Sequence, residues 1–262
     1  MTLGTLRYAL QFAIQICLCL YVLAPSVRAA DTVVFAAASL KTALDEIVEE
    51  YDGRTESKTV VSYLGTPVLA RQITQGAPAD VIISASPDWM NWLEAENAIE
   101  SGSRFDFLGN QLVLIQNRQA VQNQSTTATS LLETVRKDRI AMALVDAVPA
   151  GIYGKSALIS FRAWEELEAQ VVQTDNARAA LALVAKGAAP FGIVYATDAK
   201  AEPRVSVALT FPPESHAKII YPAAIVAGRA TDPALLFVAH LRGAEAKAIF
   251  EKHGFNVLGT AP

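Results

Sequence analysis

Hydrophobic residues in this chain fall in short unbroken runs, and each run is followed by a segment in which they recur every three or four positions. The run Val33-Val34-Phe35-Ala36-Ala37-Ala38 has no polar alternation, which predicts a strand buried on both faces of a parallel sheet. Beyond Ser39, the residues Leu40, Ala43, Leu44, Ile47, Val48 and Tyr51 share one face of a predicted helix, and Lys41, Asp45, Glu46, Glu49 and Glu50 fill the other. Ser39 is thereby expected as the N-cap of a helix that leaves the carboxyl end of a buried strand. Open α/β sheets bind their ligands at such places.

The arrangement recurs along the chain. A strand over 59–63 leads to Thr66-Pro67, read as an N-cap followed by proline at the first helical position, in a helix that Gly76 ends. A third strand over 79–85 leads to Ser86-Pro87, with Trp89 and Trp92 as packing residues at the foot of the helix. Three strand-to-helix units in so short a span predict a parallel, doubly wound sheet. Residues 108–115 read as one further strand, and the polar stretch 116–130 as a surface connection.

The pattern then restarts with a strand over 139–144 and a helix opening at 146–153. There Pro149, Ala150 and Gly151 leave backbone N–H groups uncovered, and close approach of a ligand would explain a glycine so near a helix start. Asp175 or Asn176 is expected to cap an alanine-rich helix that begins at Ala177 and ends at Gly187. The strand over 190–195 ends in Tyr195, whose phenol can serve a central site as a donor. Pro222 places the strand over 219–226 at an edge or crossover. Two helices follow, one opening at Asp232-Pro233 and one ending near His253-Gly254-Phe255.

The amino terminus changes the picture. Arg7, an apolar run over 9–24 and the small residues Val27 and Ala29 describe a signal peptide over residues 1–29, cleaved near Ala29. Gln11 and Gln15 interrupt the apolar run, which argues against a permanent anchor. Both cysteines, Cys17 and Cys19, lie in that segment, so the mature chain uses no disulfide. Ile16 and Leu18 precede them where lipid attachment needs small residues, so a soluble protein is expected. Loss of Arg7 and Arg28 with no acid takes the formal charge from -4 to -6. An acidic chain without a basic cluster argues against nucleic acid or an anionic membrane surface as partner.

Catalytic chemistry is sparse. The three histidines, His216, His240 and His253, stand away from the strand-to-helix turns, and His216 and His253 are expected in solvent. There is no G-x-S-x-G elbow, no cluster of metal ligands at fixed spacing, no phosphate loop with lysine and no G-x-G-x-x-G. What remains is a set of neutral donors: Ser39, Thr66, the backbone N–H groups of Ala150 and Ala177, and Tyr195. Each of these taken alone is an ordinary cap or core residue, and only their repetition makes a site. A ring of donors suits a fully ionised oxyanion, which has no proton to donate, each charge-assisted hydrogen bond contributing roughly 1.5 to 3 kcal/mol. Arg178, beside this ring, reads as a surface or supporting charge.

Four motifs now fall together: Phe35-Ala36-Ala37-Ala38-Ser39-Leu40, Leu69-Ala70-Arg71-Gln72-Ile73 with Gly76-Ala77-Pro78-Ala79-Asp80, Val148-Pro149-Ala150-Gly151-Ile152-Tyr153, and Gly192-Ile193-Val194-Tyr195. In this order and spacing the chain resembles the periplasmic molybdate-binding proteins of ABC importers, the ModA type, over its whole mature length. The resemblance implies a type II periplasmic binding protein fold: two doubly wound α/β lobes joined by a two-strand hinge, with lobe I formed by 30–108 and 220–262 and lobe II by 109–219. It implies that Ser39, Thr66, Ala150, Ala177 and Tyr195 hold molybdate or tungstate in the cleft as an oxyanion, with no direct metal ligand, no cofactor and no catalysis. Thr66-Pro67 stands where the family usually has a serine followed by a small residue, so the added methyl narrows the pocket and Pro67 removes an N–H. The implied partner is a membrane permease, the implied location the periplasm, and the expected state a monomer. The alternatives are a sulfate or other tetrahedral oxyanion binder of the same fold, and a secreted hydrolase that would need a base beside Ser39.

Overall fold

The computed structural model describes residues 31–55, 57–119, 135 and 138–259. The expected signal peptide and most of the expected surface connection lie outside these residues. Alternate residues of β1 (Thr32–Ala37) face opposite ways: Val34 and Ala36 pack with Leu40, Leu44 and Ile47, while Phe35 packs with Leu69, Ile82 and Met90. A strand covered on both faces needs helices on both sides. These are α1 (Lys41–Asp52) on one face, with α2 (Thr66–Thr74) and α3 (Pro87–Ala95) on the other. Leu40, Leu44 and Ile47 are wholly buried, each stabilising the fold by about 1.5–3 kcal/mol.

The chain forms two sheets. The first joins β1 to β2 (Thr59–Leu64), β3 (Val81–Ile83), β4 (Phe105–Gly109), β10 (Ile220–Ile225) and β11 (Asn256–Val257) in the order β11-β4-β10-β3-β1-β2. The second joins β5 (Leu112–Asn117), β6 (Ile140–Ala143), β7 (Val171–Thr174), β8 (Phe191–Tyr195) and β9 (Val205–Thr210) in the order β7-β6-β8-β5-β9. Among the described residues, the second half carries helices α4 (Pro149–Ser160), α5 (Trp164–Leu167), α6 (Ala177–Ala185) and α7 (Ala196–Lys200). Helices α8 (Asp232–Leu241) and α9 (Ala244–Lys252) return to the first sheet. The expected α/β fold with two lobes holds, but the sheets are mixed: β10 runs antiparallel to β3 and β4, and β5 antiparallel to β8 and β9.

Several local expectations are corrected. The run 108–115 is two strands in different sheets, separated at Asn110-Gln111; a polar pair this short between apolar stretches does not by itself distinguish a break in one strand from a change of sheet. Gln116 and Asn117 belong to β5 and not to a connection. For Pro222 the edge alternative fails and the crossover alternative holds: β10 returns from the second half to lie between β3 and β4, where a register shift beside Tyr221 absorbs the missing N–H and the Pro222 carbonyl accepts from Ser84 N at 2.9 Å. His253 is paired with Glu46 at 2.7 Å. Gly151 is explained by packing and not by a ligand, since a Cβ there would overlap the carbonyl oxygens of Ala143 and Leu144. The first turn of α4 can thus sit directly on the end of β6.

Contacts between the halves hold the sheets face to face. Trp89 Nε1 on α3 donates to Ala147 O at 3.0 Å, so this tryptophan does more than stack on Trp92. Arg178 on α6 donates through Nη2 to Thr42 Oγ1 on α1 at 2.9 Å and reaches Ser39 O at 3.5 Å. Its Nε lies 2.7 Å from Asp198 Oδ1, a carboxylate with no solvent exposure whose other oxygen accepts from Tyr195 N at 3.3 Å. Burial pushes the Asp198 carboxyl above the ordinary range, with the Arg178 guanidinium acting in the opposite direction. Arg178 is therefore not a surface charge.

Two outcomes are expected from these contacts. Gly151→Ala should lower stability by about 2 kcal/mol in urea unfolding, because the helix start must lift off β6. Arg178→Ala should lower stability by about 3 kcal/mol at pH 7, since it strands a buried carboxylate. The raised Asp198 pKa means that the ionised form opposes folding, so the Arg178→Ala deficit should shrink as pH falls and the carboxyl takes up a proton. A deficit that grows on acidification would contradict this assignment.

Candidate functional site

Between the sheets lies a small cavity of about 10 Å³, bordered by Ser39, Thr66, Ala150, Ala177 and Tyr195. Every residue that the sequence singled out as an oxyanion donor thus meets at one place. The remaining border includes Ala38, Gly65, Pro149 and Asn176, and no bordering side chain is an acid, a lysine, an arginine or a histidine. Two of the donors lie on the first half of the chain and three on the second.

The means by which each donor is placed differ from expectation. Ser39 does not cap its helix: Ala37 is the N-cap of a 3-10 turn over Ala38–Leu40 that runs straight into α1, and Ser39 Oγ instead lies 2.9 Å from Tyr221 Oη. Thr66 is the first residue of α2 and not its cap, with Gly65 as N-cap and Pro67 next in the helix. The Thr66 hydroxyl accepts from Ala85 N at 3.2 Å, which fixes its rotamer. Gly65 is required here because a Cβ would lie 2.5 Å from Asp175 O across the cavity. Asn176 is the cap of α6, its Oδ1 accepting from Ala179 N at 3.0 Å and leaving the Ala177 N–H free of it. Val148 precedes α4, with Pro149 first in that helix and Ala150 second.

Three of the four helix starts at the cavity are alike. Those at Ala37, Gly65 and Val148 receive no capping bond from a side chain, while α6 is capped by Asn176 through Ala179 N, which leaves the Ala177 N–H free; uncapped starts also occur elsewhere, as at Gly243 before α9, so it is their convergence that marks the cavity. The first N–H groups of a helix have no acceptor within it, and their aligned dipoles make the position electropositive. Several uncapped starts directed at one small volume make an anion site without a formal charge.

Tyr195 completes the ring. It is 1% exposed, and its phenol oxygen has no hydrogen-bond partner among the described residues. A buried hydroxyl in that state costs about 1–3 kcal/mol, which an acceptor in the cavity would recover. Burial raises its pKa well above the usual tyrosine range, so it remains a donor at physiological pH. Tyr221 is protonated for the same reason.

Sequence reasoning missed Tyr221, Asn110, Asp198 and Gly65. A tyrosine in an otherwise apolar central strand demands a polar partner, which was a usable signal for Tyr221. Asn110, in an amide pair with Gln111 between two apolar runs, was another. The hydrolase alternative lacks its base: His216 contacts Ala217 O, His253 contacts Glu46, and the His240 ring packs on Tyr51.

Comparison with known proteins agrees with this geometry. Residues 32–256 match the family model described as bacterial extracellular solute-binding protein. The molybdate-binding protein ModA of Escherichia coli K12 is 39% identical over 226 residues, covering 86% of this chain and 88% of that one. ModA of Haemophilus influenzae is 33% identical, covering 87% and 90%. The periplasmic molybdate-binding protein of Azotobacter vinelandii shares the fold with a TM-score of 0.77 at 23% identity, over 87% of this chain and all of that one. The chain belongs to the bacterial extracellular solute-binding proteins, as a binding protein of the ModA type and not an enzyme.

Proposed function

We propose that this protein captures molybdate, and tungstate as a second ligand, outside the cytoplasm and delivers it to the membrane permease of an ABC importer. The observation that carries the reading is the cavity itself: uncapped helix starts and the unpartnered Tyr195 phenol surround a space with no ionised side chain. A tetrahedral dianion that carries no proton at neutral pH matches a ring made only of donors. The names of the two ModA relatives add independent support. The ligand is held as an oxyanion through Ser39, Thr66, Ala150, Ala177 and Tyr195, with no cofactor.

The protein works as a monomer in the periplasm after removal of residues 1–29 near Ala29. Its lobes are 30–108 with 220–262, and 109–219. Closing them brings Ser39 and Thr66 against Ala150, Ala177 and Tyr195, so that the ligand favours the closed arrangement by contacts that only it offers. The Thr66 methyl and the missing Pro67 N–H tighten the cavity on that side and set which anion radius fits.

Titration calorimetry of residues 30–262 with molybdate, tungstate and sulfate in separate runs tests this. Tight one-to-one binding of the first two, with no heat from sulfate, is expected. Binding of sulfate alone would keep the fold and replace the ligand. Ser39→Ala should weaken molybdate binding by roughly 10- to 150-fold, the loss of one charge-assisted hydrogen bond, and lower the stability of the free protein by only about 1 kcal/mol. An unchanged affinity would remove Ser39 from the site.

A further inference from the structure

Ser39 can hold an anion through its hydroxyl only if its hydrogen points into the cavity, and a serine hydroxyl by itself rotates freely between donating and accepting. The structure contains a chain of groups that settles this direction. Asn110 stands where the chain passes from β4 to β5. Its Oδ1 accepts from Gln111 N at 2.9 Å, which fixes the amide so that Nδ2 faces the other way. Nδ2 lies 3.2 Å from Tyr221 Oη and 2.9 Å from Thr197 Oγ1, so each of its two hydrogens has an acceptor.

Tyr221 Oη, receiving a hydrogen from Asn110, has one hydrogen of its own to place, and Ser39 Oγ stands 2.9 Å away. The serine oxygen is then the acceptor of that bond. No other protein acceptor lies within hydrogen-bond distance of Ser39 Oγ among the described residues, and Ser39 borders the cavity. We infer that Asn110 and Tyr221 are positioning residues that polarise Ser39, forcing its hydroxyl to donate into the cavity and so restricting the site to anions that bring acceptors and no proton. This rests on the oxyanion reading above and deepens it: an anion that retains a hydrogen, such as hydrogen phosphate, would meet a donor where it needs an acceptor.

The fold suits this role. Tyr221 has no solvent exposure, its ring is held edge-on by Phe255 at 5.6 Å and Tyr195 at 5.9 Å, and burial keeps its phenol protonated. Tyr221→Phe keeps that ring packing and removes only the hydrogen that orders Ser39. Thr197 lies on α7 of the second half, so the same amide ties the crossing segment to both halves of the chain.

The test is a double-mutant cycle on the mature chain, with calorimetric titration of molybdate, or of sulfate should the wild type prefer it. Tyr221→Phe should weaken binding about fivefold or more in the wild-type background and by less than twofold in the Ser39→Ala background, because its effect passes through Ser39. It should also narrow the preference over phosphate. An equal loss in both backgrounds, or no loss in the first, overturns the inference, and unchanged melting of the free variants excludes misfolding as the cause. A neutron diffraction map of the deuterated wild-type protein supplies a readout that does not depend on the ligand. The Tyr221 deuteron is expected on the line to Ser39 Oγ and an Asn110 deuteron on the line to Tyr221 Oη. A Ser39 deuteron on the line to Tyr221 overturns the inference. Silence of the wild type toward both anions would defeat the functional reading alone, and the map would still decide the direction of the bonds.

Discussion

A site that holds a charge with neutral dipoles must gather many of them, because each helix start contributes only a fraction of a charge and its field fades within about one turn. No single sheet in this chain can supply enough starts at one point. The uncapped starts near Ala37 and Gly65 come from the first sheet, and the uncapped start at Val148 and the Asn176-capped start of α6 from the second, so their convergence requires the two sheets to face each other at their carboxyl ends. Most other features of the structure serve that approach. Gly65 has no side chain because Asp175 O is too near for one, and Gly151 has none because α4 must begin directly on β6.

The charged groups near the cavity are disposed to keep it neutral. Arg178 follows Ala177 on α6, yet its guanidinium turns to Asp198, Thr42 and the Ser39 carbonyl. Asp198 in turn accepts from the backbone of Tyr195, so one buried ion pair supports two of the donors without presenting its charge to the cavity. A free cation there would bind any small anion strongly through a long-range attraction that is insensitive to shape. With the charge internally compensated, discrimination falls to hydrogen-bond direction and to the radius of the ring.

Much of this was legible in the sequence, and the limits were physical. Buried strands followed by small or hydroxyl residues showed where helix starts would be, so the positions of Ser39, Thr66, Ala150, Ala177 and Tyr195 were readable. Their roles were less so. Ser39 was expected to bond to its own helix, but its partner Tyr221 lies 182 residues away, a separation that no local pattern encodes. The change of sheet at Asn110-Gln111 was hidden because this short polar pair stands between two apolar runs and reads as a break within one strand. Pro222 marked the crossover but not the edge, because the rule about proline in strands assumes a regular ladder, and β10 is irregular at that residue.

The return of β10 to the middle of the first sheet has a consequence for how the protein is made. Strands β3 and β4 do not pair with each other, and both wait for β10, which is more than a hundred residues further along. Until that strand arrives, the amino-terminal part presents two unpaired edges and cannot complete its core. The first sheet can therefore close only once residues 220–225 have been made, whereas all strands of the second sheet precede them in the chain. The strand order that builds the cleft thus also fixes which of the two sheets is complete in the chain first.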